Sequence, residues 1–156
     1  MSNDVYLGNP LLKKANTPIE FTQEQILEFV KCKDDPVYFA KNYVKIVTLD
    51  HGLQTFQPYH FQEKLINNFH KHRFNICKMP RQTGKSTTVV SFLLHYAVFN
   101  DNVNIGILAN KAATARELLD RLQTAYENLP KWMQQGIIRS EEHTSELQSL
   151  RHLVCR

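Results

Sequence analysis

Apolar residues recur at helical spacing in the first third of the chain. The first such stripe follows Thr22 and consists of Ile26, Leu27, Phe29 and Val30. Because threonine is a residue type that caps helix N-termini, this pattern predicts a helix from Thr22 to about residue 33. A second helix is predicted over residues 36–43, with Asp35 as its cap and Pro36 at the first helical position.

A β-hairpin and a third helix follow in the pattern. Residues 44–49 and 53–56 are extended-type stretches that flank Asp50-His51-Gly52, an order that predicts a hairpin. The third helix is predicted over residues 59–71. Four of its apolar side chains are expected to face inward: Phe61, Leu65, Ile66 and Phe69. Residues 1–18 are rich in turn formers and predict an extended arm.

The second half of the chain predicts two strand–helix units. Residues 74–79 are an apolar run before a predicted helix over residues 86–99, and residues 104–109 are another before a helix over residues 112–128. Strands separated by helices of this length favour right-handed crossovers and a parallel sheet. The predicted fold class is therefore α/β, with a partial parallel sheet preceded by a helical subdomain and a hairpin.

The loop between the first of these strands and its helix carries candidate chemistry. Residues 79–87 read MPRQTGKST, close to the phosphate-binding pattern GxxxxGK[ST] except that Met79 replaces the first glycine. In a strand–loop–helix context, backbone N–H groups and the helix dipole converge on an anion. Gly84 permits close approach, Lys85 can reach the β- and γ-phosphates, and Ser86 can offer its hydroxyl to Mg²⁺.

Three further positions have two interpretations each. Arg81 is a surface charge or salt-bridge partner, or it is a cis arginine finger that stabilises the γ-phosphate in the transition state. Gln62 is a polar residue at a helix start, or it reads adenine through its amide while a neighbouring aromatic such as Phe61 stacks on the base. Gln57 is a second candidate for the same amide contact.

Composition and charge exclude several classes of protein. The net charge of +4 permits contact with a polyanion without demanding it. No apolar run is long enough to span a membrane, and the first residues lack the pattern of a signal peptide. The cysteines lack metal-ligand spacing, which favours a reduced intracellular setting.

The end of the chain has an unusual composition. Residues 139–149, RSEEHTSELQS, back-translate with ordinary codons to a DNA sequence that resembles a widely used sequencing adapter. The alternative is a natural polar helix. We predict that residues 139–156 are a non-native tail that packs poorly on the sheet. The predicted organisation is an arm with a helical subdomain over residues 1–56, a partial ATPase domain over residues 57–138, and this tail.

The motifs together resemble the large terminase subunit of T-even-type tailed phages. They are residues 81–87, the glutamine–aromatic element at residues 57–62, and residues 106–111. The resemblance covers residues 21–138. It implies an N-terminal ATPase that drives double-stranded DNA into the procapsid, followed in the whole protein by a nuclease. It also implies a homo-oligomeric ring on the portal protein, a small terminase subunit as partner, no membrane, and the host cytoplasm.

The resemblance also implies roles for individual residues, with ATP and Mg²⁺ as cofactors. Arg81 and Lys85 would be catalytic, and Ser86 would help to hold Mg²⁺. The nucleotide-binding set implied is Gln57, Phe61, Gln62, Arg81, Gln82, Thr83, Gly84, Lys85, Ser86 and Thr87. No Walker B aspartate or catalytic glutamate is recognisable before residue 139, so we expect an N-terminal fragment that is inactive by itself. A DNA helicase or translocase and a non-catalytic nucleotide-binding fragment are the alternatives.

Overall fold

A computed structural model describes residues 5–6, 9–13, 20–48, 50, 52–101, 103–134, 137–139 and 153–155. This part of the chain contains five helices, namely α1 (Gln23–Asp34), α2 (Pro36–Tyr43), α3 (His60–Lys71), α4 (Lys85–Phe99) and α5 (Ala112–Glu127). Its strands are β1 (Val5–Tyr6), β2 (Asn9–Lys13), β3 (Lys45–Thr48), β4 (Gly52–Thr55), β5 (Asn104–Ile105), β6 (Ile137–Arg139) and β7 (Leu153–Cys155). The chain is a mixed α/β protein.

The first two helices begin where their capping residues predict. The Thr22 hydroxyl accepts from the Gln25 backbone N–H at 3.2 Å, and the Gln25 side chain accepts from the Thr22 N–H at 3.1 Å. One Asp35 carboxylate oxygen accepts from the N–H groups of Val37 and Tyr38, both at 2.9 Å. These bonds satisfy backbone donors that a helix start otherwise leaves without partners.

Helix α4 is the centre of the hydrophobic core. It packs against α2, α3 and α5, and its apolar residues lie on all sides, as expected of an interior helix. The buried side chains of α4 are Thr88, Val90, Ser91, Leu94, His95, Ala97, Val98 and Phe99. The core around it includes Cys32, Phe39, Ala40, Val44, Phe56, Ile66, Leu122, Ala125, Leu129 and Met133. One cluster therefore joins the first helices, the hairpin and the helix that follows the phosphate-type loop.

The hairpin predicted around Asp50 is confirmed. Strands β3 and β4 pair antiparallel, from Lys45 opposite Thr55 to Thr48 opposite Gly52. The backbone of Gly52 has φ of 66°, a left-handed conformation that glycine adopts without a steric penalty.

The first residues form paired strands where an extended arm was predicted. Strands β1 and β2 are antiparallel neighbours, and β2 is held by the buried side chain of Gln134, which is 1% exposed. The Gln134 Oε1 accepts from the Lys13 N–H at 3.0 Å, and its Nε2 donates to the Leu11 carbonyl at 2.9 Å and to the Leu129 carbonyl at 3.1 Å. This amide thus joins the N-terminal strand to the turn after α5.

Residues 74–79 form no strand in this structure, although the sequence predicts one there. These residues have an irregular backbone, and the side chains of Phe74 and Ile76 are 84% and 101% exposed. A parallel strand is stable when neighbouring strands pair with it and helices cover its faces. Within the described ranges, no strand pairs with residues 74–79, and the apolar run therefore lies open to solvent.

The second predicted strand is shorter than expected. Of residues 104–109, only Asn104 and Ile105 form β5, and Leu108 is 81% exposed. β5 pairs antiparallel with β7, and β7 pairs antiparallel with β6. The strand pairs of the described residues are all antiparallel, so the predicted parallel sheet is not found among them.

Four residues of the predicted tail take part in this small sheet, namely Arg139 at the end of β6 and the three residues of β7. β7 lies between β5 and β6, so the expectation that the tail packs poorly on the sheet is wrong for them. The physical reason is that an open strand edge is a template for a short segment of high β-propensity, and Leu153-Val154-Cys155 is such a segment. The non-native origin of residues 139–156 stays a prediction, and residues 140–152 lie outside the described part.

Two predicted apolar faces are also corrected. On α1, Ile26, Leu27 and Val30 are 50%, 72% and 51% exposed, whereas Phe29 contacts the Phe99 ring with 4.8 Å between centroids. The inward line of α1 runs through Phe29 and the buried Cys32, three residues apart on one helix face, and turns the other apolar residues outward.

Helix α3 shows the same kind of difference. Ile66 is fully buried, and Leu65 and Phe69 are half-buried, as predicted. Phe61 instead is 45% exposed, since it lies in the first turn next to the exposed Tyr59.

Candidate phosphate-binding loop

Two residues of the loop before α4 have a left-handed backbone. Gln82 has φ of 62° and Gly84 has φ of 72°, whereas Thr83 between them has negative φ and Lys85 begins the helix. Gln82 is the one non-glycine residue of the described ranges with positive φ. Such alternation directs successive N–H groups toward one concave side and forms an anion-binding nest. A loop with left-handed residues directly before a helix N-terminus is of the kind that binds an anion.

Lys85 closes this loop. Its Nζ donates to the carbonyl of Met79 at 2.9 Å and to the carbonyl of Pro80. The Thr83 hydroxyl also donates to the Pro80 carbonyl, at 3.0 Å. An ammonium group has three donors, and the two bonds to the loop leave a third for an anion. Lys85 is thus held at the loop by its own backbone.

The stretch of sequence that contains the loop carries charge of one sign. Residues 64–100 contain six Lys and Arg residues and no Asp or Glu. The positive end of the α4 dipole adds to this field. The segment is thus suited to an anion and unsuited to a free cation.

Gln62 reaches this loop from the first turn of α3. Its Nε2 donates to the Thr83 carbonyl at 3.2 Å, and its Oε1 accepts from the Tyr59 backbone N–H at 2.8 Å. The side chain is buried, with 3% of its surface exposed. A Cβ atom placed on Gly84 would lie 2.5 Å from the Gln62 Nε2. The predicted site residue Gln62 is therefore in contact with the phosphate-type loop.

The other residues predicted to contact a base lie on the surface. Phe61 stacks on Tyr59 with 5.8 Å between ring centroids and 10° between ring planes. Tyr59 is 70% exposed, and Gln57 is exposed as well. The prediction did not include Tyr59. Its position between Gln57 and Gln62, as an aromatic of a glutamine–aromatic element, is the signal that identifies it.

The remaining predicted residues are distributed around the loop. Arg81 and Ser86 are exposed. Arg81 takes part in none of the salt bridges found among the described residues. Thr87 is half-buried and lines a cleft of about 460 Å³ between β3, α4 and α5. Thr87 therefore borders a second concave surface as well as following the loop.

Two groups with clearly shifted pKa values, His95 and Cys32, lie in the core. Burial lowers the pKa of His95 to about 4. Its Nε2 is 2.9 Å from the Cys32 carbonyl, and its buried Nδ1 has no hydrogen-bond partner within the described residues. Burial raises the pKa of the Cys32 thiol to about 12, so this thiol is not a nucleophile at neutral pH.

Metal-site clusters and membrane-spanning helices are both absent from the described ranges. Among the described residues, no group of three His, Cys, Asp or Glu side chains has the arrangement of a metal site. The Ser86 hydroxyl stays the metal-ligand prediction. In those ranges, no helix has the length and apolar content to cross a bilayer.

Comparison with models of known protein families finds no match for the chain. An assignment of function therefore depends on the loop itself, which combines a GKS sequence, two left-handed residues and a lysine held against the loop carbonyls.

Proposed function

We propose that the chain is the N-terminal ATPase part of a viral DNA-packaging terminase large subunit, with residues 79–87 as its phosphate site. One observation supports this most. Left-handed Gln82 and Gly84 alternate with Thr83 and Lys85, directly before a helix of fifteen residues. A loop of that geometry binds a phosphate through backbone N–H groups and the helix dipole.

The proposal assigns roles in nucleotide binding to the loop backbone and to Lys85, Ser86 and Arg81. Backbone N–H groups of the loop and the ammonium of Lys85 hold the phosphates of ATP. The Ser86 hydroxyl, exposed beside Lys85, is an oxygen ligand suited to Mg²⁺. When bound, Mg²⁺ neutralises phosphate charge. Arg81, exposed on the loop, is the proposed finger that stabilises charge on the γ-phosphate.

The finer fold class is part of the same proposal. Phe74, Ile76 and Leu108 are large apolar side chains that are more than four-fifths exposed. Exposure of such large apolar residues on two segments indicates a surface that another element covers. We propose that residues 74–79 and 104–109 are strands of a parallel sheet, as in a P-loop ATPase, and that strands of a complete domain pair with them.

A binding measurement on this chain tests the proposed function. Lys85→Ala removes the ammonium from the loop, and we expect ATP to bind roughly 10- to 150-fold more weakly, since hydrogen bonds to charged groups contribute about 1.5–3 kcal/mol. Lys64→Ala is the matched control because Lys64 is exposed on α3. Calorimetric titration with Mg-ATP measures both. Equal affinity of parent chain and Lys85→Ala contradicts the proposal.

The role of Arg81 is tested in the complete ATPase domain. An arginine finger acts mainly in the transition state, so Arg81→Ala should leave ATP affinity nearly unchanged and lower kcat by roughly 10³-fold or more. Nucleotide affinity and single-turnover hydrolysis are the two readouts. Hydrolysis by Arg81→Ala at close to the parent rate would assign Arg81 a structural role and place the finger elsewhere.

A non-catalytic nucleotide-binding module is the second candidate. It is favoured by the sequence around the loop, because residues 64–100 hold no Asp or Glu that can activate water. Hydrolysis measurements separate the two candidates. ATP turnover that appears when the complete domain is assembled supports the ATPase, and binding without turnover in that domain supports the module. A helicase or translocase, the third alternative, would couple turnover to strand separation.

A further inference from the structure

We infer that Gln62 is a positioning residue of the phosphate loop and not a reader of the base. The inference rests on the proposed function, because it assigns the part that Gln62 has in nucleotide binding. It reverses the role that the sequence predicts for this residue, in which the amide hydrogen-bonds adenine.

Both ends of the Gln62 amide already have protein partners. The oxygen accepts from the Tyr59 N–H at 2.8 Å, and the nitrogen donates to the Thr83 carbonyl at 3.2 Å. A base reader needs its donor and acceptor on an open surface. Gln62 is 3% exposed, whereas its neighbours Tyr59 and Phe61 are 70% and 45% exposed. The two aromatic rings are therefore available to a base, and the amide is not.

The bond to Thr83 sets the direction of a phosphate-binding donor. In a trans peptide, the carbonyl and the following N–H point to opposite sides. The backbone of the described residues contains no cis peptide. Holding the Thr83 carbonyl toward Gln62 therefore turns the Gly84 N–H away from α3. The Gly84 N–H belongs to the alternating part of the loop, where donors converge on one side.

The space beside Gly84 belongs to the same arrangement. A Cβ atom there would lie 2.5 Å from the Gln62 Nε2, closer than the two atoms can approach. Gly84 adopts its left-handed φ of 72° without a steric penalty, and its lack of a side chain leaves room for the Gln62 amide. Helix α3 contacts the loop through the Gln62 side chain.

Binding of ligands with and without a base separates positioning from base reading. We compare ATP, GTP and inorganic tripolyphosphate on the full chain. Gln62→Glu keeps the shape and the acceptor toward Tyr59, but it places a carboxylate oxygen against the Thr83 carbonyl. We expect about 5- to 20-fold weaker binding of all three ligands, as for the loss of one hydrogen bond in a buried site. A base reader would lose ATP affinity while tripolyphosphate binding stayed the same, and that result overturns the inference.

Two further variants keep the comparison interpretable. Gln62→Met preserves volume without introducing charge, and we expect it to weaken binding of the three ligands by a common factor as well. Asn67→Ala, on the exposed side of α3, is the matched control and should bind all three like the parent. Unchanged tripolyphosphate affinity in Gln62→Met and Gln62→Glu overturns the inference.

A measurement without any ligand tests the loop alone. Arg81 is an exposed trypsin site within the loop. We expect trypsin to cleave after Arg81 several-fold faster in Gln62→Met than in the parent chain. Hydrogen exchange of the Gly84 amide, measured relative to the Val90 amide of α4, should be faster in Gln62→Met by a similar factor. Equal rates overturn the inference. If the parent chain binds none of the three ligands, the proposed function fails, and the ligand-free measurement still decides whether Gln62 holds the loop.

Discussion

Helix α4 and residues 74–79 are two apolar stretches joined by the five residues of the loop. The helix is largely buried in the core, whereas residues 74–79 are largely exposed to solvent. Leu94 on α4 is 1% exposed, whereas Ile76 is 101% exposed. A helix satisfies its backbone hydrogen bonds within itself, and α2, α3 and α5 then cover its sides. A strand satisfies them through neighbouring strands. Apolar composition alone therefore does not bury a segment.

Two buried polar residues also show that composition alone does not determine burial. Gln62 and Gln134 are 3% and 1% exposed, less than most apolar residues of α1 and α3. Each glutamine is buried because its amide replaces water with backbone partners, namely Thr83 and Tyr59 for Gln62, and Leu11, Lys13 and Leu129 for Gln134.

The largest expected effect contrasts the two apolar stretches directly. Leu94→Ala removes a buried side chain from the core, and we expect it to lower the free energy of unfolding by about 2–5 kcal/mol. Ile76→Ala should change it by less than about 0.5 kcal/mol, because the side chain is in solvent. Urea unfolding of both variants measures the difference. Similar losses for the two would show that residues 74–79 pack in solution.

The next effect is a pH dependence that comes from the core of α4. The pKa of His95 is about 4 in the folded chain, against an ordinary value of 6.5. Burial is the main cause of this decrease, and the nearby charge of His70 in α3 adds to it. Hydrogen bonds to the Cys32 and Lys33 backbone and the charge of Asp35 raise the pKa and offset part of the decrease. Between these pH values the unfolded chain binds more protons than the folded one. Stability is therefore fullest above about pH 6.5 and falls toward pH 4, by roughly 3 kcal/mol for this group.

Unfolding free energies at several pH values check this prediction. His95→Phe keeps an aromatic ring among Phe39, Phe92 and Phe99 and should flatten the slope between pH 4 and 6.5. His60→Phe is the control, because the His60 side chain is 80% exposed. A slope that His95→Phe leaves unchanged would mean that another group is responsible.

The smallest effect concerns the buried amide that holds β2. Gln134→Ala leaves the Leu11 carbonyl and the Lys13 N–H without their partner, and we expect a loss of about 1–3 kcal/mol in the free energy of unfolding. Gln57→Ala, at an exposed glutamine, should change stability by no more than about 0.5 kcal/mol. Hydrogen exchange of the Lys13 amide supplies a local readout. Protection of Lys13 that survives Gln134→Ala would contradict the assigned role.

The features predicted correctly from the sequence are those that local chemistry determines. Thr22 and Asp35 specify helix starts through hydrogen bonds two and three residues away, and the turn at Gly52 specifies a hairpin. α4 and α5 also begin within one residue of their predicted starts. The GKS sequence likewise places the loop before α4.

The features that the sequence did not predict depend on distant partners. Residues 74–79 have strand composition, but whether they pair depends on strands elsewhere. The inward face of α1 depends on where Phe99 lies, seventy residues after Phe29. The contact of Gln62 with Thr83 spans twenty-one residues, and no local pattern distinguishes it from a base contact.

The Gln134 amide has a consequence for the order of events during synthesis. Its partners Leu11 and Lys13 leave the ribosome first and must wait for a residue more than 120 positions later. Domains form from the N-terminus as the chain emerges, but β2 cannot take its final position in that order. Helices α1 to α4 can collapse around their aromatic core beforehand. Strand β2 is therefore made early and is among the last elements to dock.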